Sequence, residues 1–264
     1  MNTFRHILCR GLKKFPAAMA LPLVALAFLP WAEAQIPDTF TNLKVLPGET
    51  GKGELMGVMR GFAGSLGVRC NHCHVGPDNL QGMDFATDEK QTKRTARAMM
   101  IMVNDINGKY LAGLKPDRTV ELEVQCATCH RSQAMPRFIQ DVVEQAIASD
   151  GLEGALARYR ELREEHYGGF AYDFSAGPLS SLGEKMAAAG KITEALAVLE
   201  LNSSFHPDSI WNRVLTAQVH ARSGDLEKAK ALLEKVLEDE EDNGFVKMQL
   251  ESVNAAIRDR DSES

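Results

Sequence analysis

Two five-residue strings constrain this chain more than any other feature: Cys70-Asn71-His72-Cys73-His74 and Cys126-Ala127-Thr128-Cys129-His130. Each reads C-x-x-C-H, the spacing of covalent c-type haem attachment. Two thiols at that spacing each add across one vinyl group of a porphyrin. The adjacent histidine then lies under the iron as its proximal ligand, and a ligand on the far side sets the potential. A zinc ribbon also pairs C-x-x-C knuckles, but about 15–20 residues apart. Here 52 residues separate Cys73 from Cys126, and zinc leaves the His after each second Cys unexplained. A thioredoxin-like redox pair requires a βαβ context, and no strand pattern surrounds either motif. The expectation is therefore two covalently bound haem c groups. Cys70, Cys73, Cys126 and Cys129 attach them, and His74 and His130 are the proximal iron ligands.

Residues 1–34 read as a secretory signal: a basic stretch with Arg5, Arg10, Lys13 and Lys14, an apolar run from Ala17 to Leu29, and Ala32-Glu33-Ala34 before Gln35. That pattern is cleaved on export. The apolar run is short for a span of about 20 residues, and Pro22 and Pro30 interrupt it. Cys9 leaves with the signal, so every remaining cysteine belongs to a haem motif. The expected destination is the periplasm, with no membrane span after cleavage.

The rest of the chain exceeds the usual single-domain size, and its charge divides it. Residues 35–137 hold 13 basic and 11 acidic residues, whereas 138–264 hold 13 and 24. A nucleic-acid partner does not fit the acidic half. The spacing of Met56, Met59, Ala63 and Leu66 predicts a helix over Glu54–Leu66, ended by Gly67-Val68. A Gly/Pro/Asn/Asp-rich loop, Gly76–Asp84, follows the first motif. A second helix is expected over Asp88–Leu114, capped by Thr87. On its wheel Met99, Met102, Ile106 and Tyr110 share an inward face, opposite an outward basic stripe of Lys90, Lys93, Arg94 and Arg97. A loop with Pro116 then leads through Val120–Val124 to the second motif.

In the acidic half, Gly190-Lys191-Ile192-Thr193-Glu194-Ala195 recurs as Gly224-Asp225-Leu226-Glu227-Lys228-Ala229, an offset of 34 residues. A weaker copy starts at Asp150-Gly151, set off by a His166–Pro178 linker. That period, with Pro207 closing a unit, is the tetratricopeptide signature, and three helical pairs suffice for a continuous core. The fold expected is mainly α: a small helical dihaem domain over 35–137, then tetratricopeptide-like repeats over 138–256. Residues 257–264 read as a polar, disordered tail.

Within residues 35–137 the only histidines are His72, His74 and His130. His72 is confined inside its motif. Unless His166, His206 or His220 reaches over from the second half, the distal ligands are methionines or absent. Eleven methionines are available in the whole chain.

The string Met59-Arg60-Gly61-Phe62-Ala63-Gly64-Ser65-Leu66-Gly67-Val68-Arg69-Cys70 resembles a haem segment of the photosynthetic reaction-centre cytochrome c subunit family. So do Ala96-Arg97-Ala98-Met99 with Ile106-Asn107, and Cys126-Ala127-Thr128-Cys129-His130-Arg131. In that family a helix before each motif runs beside the haem and supplies a distal methionine. The resemblance, over about residues 40–137, implies Met59 on the first iron and Met99 on the second. Met56 and Met102, one turn away, are the rivals. The chain departs from the family in having two motifs rather than four, a repeat half, and Ser132 where Gly is usual. A photosynthetic role is not implied.

The function expected is single-electron transfer between a protein donor and a protein acceptor, not catalysis. A dihaem peroxidase or small-molecule reductase would need an open iron and nearby acid–base groups, and no spare histidine lies near either motif. An envelope scaffold, binding a peptide or protein through its repeats, is the third alternative.

Overall fold

The computed structural model describes residues 36–114 and 122–263. The expected signal at 1–34, the Pro116 loop, Val120 and Ser264 lie outside the described residues. The fold is mainly helical, as expected. In order come α1 (Lys52–Leu66), α2 (Gln91–Asp105), α3 (Cys126–His130), α4 (Ile139–His166), α5 (Ala176–Ala188), α6 (Ile192–Phe205), α7 (Ile210–Arg222), α8 (Leu226–Asp239) and α9 (Gly244–Glu263). A 3₁₀ turn covers Cys70–His72 and a π-helical stretch covers Ile106–Leu111. Among the described residues, strand-like pairing is limited to one antiparallel bridge, Val75 to Asp84.

Local chemistry sets the helix ends. Gly67 takes φ 65°, ψ 33° and stops α1, a left-handed conformation that glycine adopts without a Cβ penalty. The second helix starts three residues later than expected. Thr87 does not cap it. Its hydroxyl accepts from the Glu89 N–H at 3.2 Å, and its own N–H donates to Asp84 Oδ1 at 2.9 Å. Short polar side chains that bond nearby backbone compete with helix in this way. The α geometry then ends at Asp105, not Leu114, and widens where the Asn107 amide pairs with the Val124 backbone.

The second half is a stack of paired helices. Gly190 (φ 77°) turns α5 into α6, and Gly224 (φ 87°) turns α7 into α8. The weaker copy shows the same device: α4 breaks at Gly151, at φ 75°, ψ 176°. Both cores lie here. One joins α4, α5, α6 and part of α7 around Tyr159, Leu179 and Leu199, and the other joins α7, α8 and α9 around Leu233 and Val236. Between α5, α6 and α7 runs a buried polar network: Asn202 Nδ2 donates to Ser180 Oγ at 3.0 Å and to Asn212 Oδ1 at 2.7 Å. Asn212 Nδ2 donates to the Leu199 carbonyl at 3.0 Å.

The expected disordered tail is corrected. Helix α9 continues through Glu263, Ile257 packs on the second core, and Arg260 bonds Glu227 at 3.0 Å. The polar composition reflects an exposed helix face tied to α8, not an unstructured end.

Burial is uneven between the halves. Among described residues before Ile139, only Leu55 and Met83 are buried apolar side chains, at 7% and 8% exposure. The first half has almost no core in which its apolar groups meet one another.

Candidate functional site

The first motif leaves α1 directly. After Gly67 the chain enters the Cys70–His72 turn, where the Cys73 and His74 N–H groups both return to the Cys70 carbonyl, at 3.2 and 3.0 Å. One tight turn thus separates the two thiols, and His74 follows at once. The Val75–Asp84 bridge folds the following loop back and sets Phe85 edge-on to the His74 ring, centroids 5.2 Å apart. The start of α2 grips the motif's backbone: Lys90 Nζ donates to the Asn71 carbonyl, and Thr92 Oγ1 to that of His72 at 2.5 Å.

The second motif is α3 itself. Asn107 holds the approach to it, with Nδ2 donating to the Val124 carbonyl and Oδ1 accepting the Val124 N–H, both at 2.8 Å. The Thr128 hydroxyl accepts from the Gln125 N–H at 3.0 Å. Arg131 and Ser132 then take left-handed conformations, φ 46° and 64°. Ser132 bonds back to α1, its N–H to the Ser65 carbonyl at 2.8 Å and its hydroxyl to that of Gly64 at 3.1 Å. The two motifs therefore meet at the C-terminal end of α1.

Between them lies a cavity of about 870 Å³, within the roughly 300–1,000 Å³ of small-molecule and cofactor sites. Cys70, Cys73, His74, Cys126 and His130 line it, with Met56 and Met59 from α1 and Met99 from α2. Of the expected site residues, Cys129 and Met102 are outside the lining; Met102 is 44% exposed and Met99 37%. His166, His206 and His220 are also outside it. His206 Nε2 bonds the Phe174 carbonyl at 2.9 Å, and His220 sits 3.5 Å from Asp225. The sequence reading missed Met83, Met100 and Met135, and the 36–46 segment, all of which line the cavity. Met100 stands beside Met99 in the chain, and adjacent residues do not share a helix face.

The two histidines differ. His130 Nδ1 lies 2.9 Å from the Gln133 carbonyl, which only accepts, so Nδ1 is the donor of that bond. His74 Nδ1 is buried with no hydrogen-bond partner. The Phe85 carbonyl raises the ring's basicity but completes no hydrogen bond to Nδ1. Burial, with help from the Lys93 charge, wins and pushes the His74 pKa down. Burial likewise pushes the Cys73 thiol up.

The basic stripe is outward only at Arg94, which is exposed; Lys90 and Arg97 are half-buried. Lys93 is 8% exposed and donates to the carbonyls of Phe85, Ala86 and Thr87 at 2.8, 3.2 and 2.8 Å. Arg97 bonds Asp88 at 2.6 Å, and Lys44 bonds the same carboxylate at 2.5 Å, which holds it well below the usual carboxylate range. Met102, Ile101 and Tyr110 are the exposed side of this helical stretch. The expected polarity of α2 thus fails at Lys93, Met102 and Tyr110 but holds at Arg94 and Met99, because the turn before the helix presents carbonyls and a carboxylate that a cation must satisfy.

Iron porphyrin suits this donor set. Paired thiols one turn apart, an imidazole beside each pair and thioethers across an apolar cavity are c-type haem ligands. Apolar side chains of this half such as Leu55, Phe62, Leu66, Met83 and Phe85 also line the cavity in place of a core. Among the described residues, no three His, Cys, Asp or Glu converge as a closed metal-ligand set. No helix there is long and apolar enough to cross a membrane.

The site thus has the make-up of a c-type cytochrome. Residues 32–160 match the family model of the photosynthetic reaction centre cytochrome C subunit, a match that runs past Arg137 into α4. Cytochrome c-554 of Chloroflexus aurantiacus is 36% identical over 98 residues, 37% of this chain. The chain spans only 22% of that relative's length. The family-model match takes in both C-x-x-C-H motifs.

Proposed function

We propose that this chain is a periplasmic dihaem c-type cytochrome that carries single electrons between protein partners. Residues 35–137 form the haem domain, and 138–256 form tetratricopeptide-like repeats that bind a protein or peptide partner. The observation that best supports this is the shared apolar cavity onto which both C-x-x-C-H motifs and the α1 and α2 methionines open. Bound haem supplies a one-electron iron couple. The chain's own residues do the rest. Cys70, Cys73, Cys126 and Cys129 would hold the rings covalently, His74 and His130 would supply imidazole ligands to the irons, and Met59 and Met99 thioether ligands. Thioether ligands raise the potential relative to a second imidazole, and an apolar lining excludes water.

Mass spectrometry of the exported protein tests this: two haem additions and loss of residues 1–34 are expected. Met59→Ala and Met99→Ala should each turn one low-spin haem high-spin and lower its potential. An unchanged spectrum moves the ligand to Met56 in the first case, and to Met100 or Met102 in the second. Ready carbon monoxide binding by the unmodified protein would replace electron transfer with the open-iron enzyme reading.

A further inference from the structure

The cations around the cavity are distributed unevenly. Lys93 and His74 both line it, and Phe85 joins them: its ring packs on His74 while its carbonyl accepts from Lys93 Nζ at 2.8 Å. Lys44, Arg69 and Arg97 also line this side, with Asp84; Asp88 pairs with Lys44, Arg97 and Lys93, and Asp78 with Arg69. These four lining cations, with Lys90 on the Asn71 carbonyl, outnumber the three carboxylates, and the most buried of the groups is Lys93. A buried charge is poorly screened, so it acts on its neighbours more strongly than a surface charge does. Positive charge beside an iron favours its reduced state.

The second motif carries the opposite bias. The His130 Nδ1–H donates to the Gln133 carbonyl, a bond that raises the basicity of a ligating imidazole and so favours oxidised iron. His74 Nδ1 completes no such bond, the nearby Phe85 carbonyl raising the ring's basicity less than burial and the Lys93 charge lower it. Two independent features, one electrostatic and one a hydrogen bond, therefore have the same sign. We propose that the two haem sites are electrostatically unequal, with buried Lys93 holding the His74 haem at the higher reduction potential of the pair. Electrons entering at the His130 haem then run downhill to the His74 haem. This rests on the dihaem reading above.

Spectroelectrochemical titration of the exported holoprotein tests the proposal, with the haem count read on the same samples by pyridine haemochrome absorbance. Two one-electron steps are expected. Lys93→Gln should move the upper step down and leave the lower one in place, while Lys93→Arg keeps both. Arg97→Gln, which spares the three-carbonyl clamp, should move the same step the same way by less. A Cys126→Ala/Cys129→Ala chain should retain the upper step alone. A shift of the lower step instead, an upper step indifferent to both neutralising variants, or retention of the lower step by the cysteine variant overturns the inference while leaving two haems counted. A count other than two overturns the dihaem reading itself, and this inference with it.

Discussion

Gly67 and Ser132 meet where the two motifs come together. A Cβ on Gly67 would stand 2.2 Å from the Ser132 carbonyl oxygen, and the residue's φ of 65° disfavours a side chain in any case. Gly67→Ala should therefore destabilise the holoprotein by about 1–3 kcal/mol, the usual range for a residue forced into such backbone; urea unfolding measures it. Ser132 bears the same kind of strain at φ 64°, held by its two bonds to α1. Ser132→Gly and Ser132→Ala both lose the hydroxyl bond, but only glycine relieves the backbone. The glycine variant should be the more stable by about 1 kcal/mol, and equal stabilities would argue that Ser132 is unstrained. The sequence singled out this position only as a departure from a familiar pattern. Its left-handed geometry shows why glycine suits the place and how serine is accommodated.

At the scale of elements, α2 and its π-helical extension are where pattern reading failed. The helical wheel grouped Lys90, Lys93, Arg94 and Arg97 and assigned their face to solvent, which holds for Arg94 but not for Lys93. Charge alone argues for that, and the carbonyls of Phe85, Ala86 and Thr87 override it. Periodicity also gave no sign of the π-helical stretch at Ile106–Leu111. That stretch holds Asn107, whose amide makes both contacts to Val124 just before the second motif. Asn107→Leu removes two hydrogen bonds of about 0.5–1.5 kcal/mol each and frees the approach to Cys126. Haem incorporation should fall from two per chain towards one, with the first haem's spectrum intact. Unchanged stoichiometry and unfolding temperature would show that the clamp is dispensable.

Over the whole molecule, the halves differ in what can hold them together. The helical half buries two apolar cores, whereas the first half turns its apolar side chains to a cavity. The described residues lining that cavity end at Met135. A chain ending at Arg137 should therefore still take up both haems with the spectrum of the full protein. Residues 138–263 alone should give a cooperative helical melt without any haem. Loss of one low-spin signal on truncation would mean that the second half supplies a ligand. Among the described residues the side-chain hydrogen bonds across the halves are Gln133 Nε2 to the Ala171 carbonyl and Arg137 Nη1 to Gln145 Oε1, too few to carry the fold of the first half.

The legible part of this protein is what local chemistry writes. Attachment spacing in Cys70–His74 and Cys126–His130, the mainly helical class, the stop at Gly67 and the turns at Gly190 and Gly224 each depend on a handful of adjacent residues, so the amino-acid order alone determined them. The meeting of both motifs at the end of α1 is different, because it rests on Ser132 reaching Gly64 and Ser65 across more than sixty residues. So are the burial of Lys93, which depends on carbonyls freed by a neighbouring turn, and the presence of Met99 but not Met102 in the cavity lining. Those outcomes belong to the tertiary structure, since partners distant in the chain decide which polar groups are satisfied and which faces are covered.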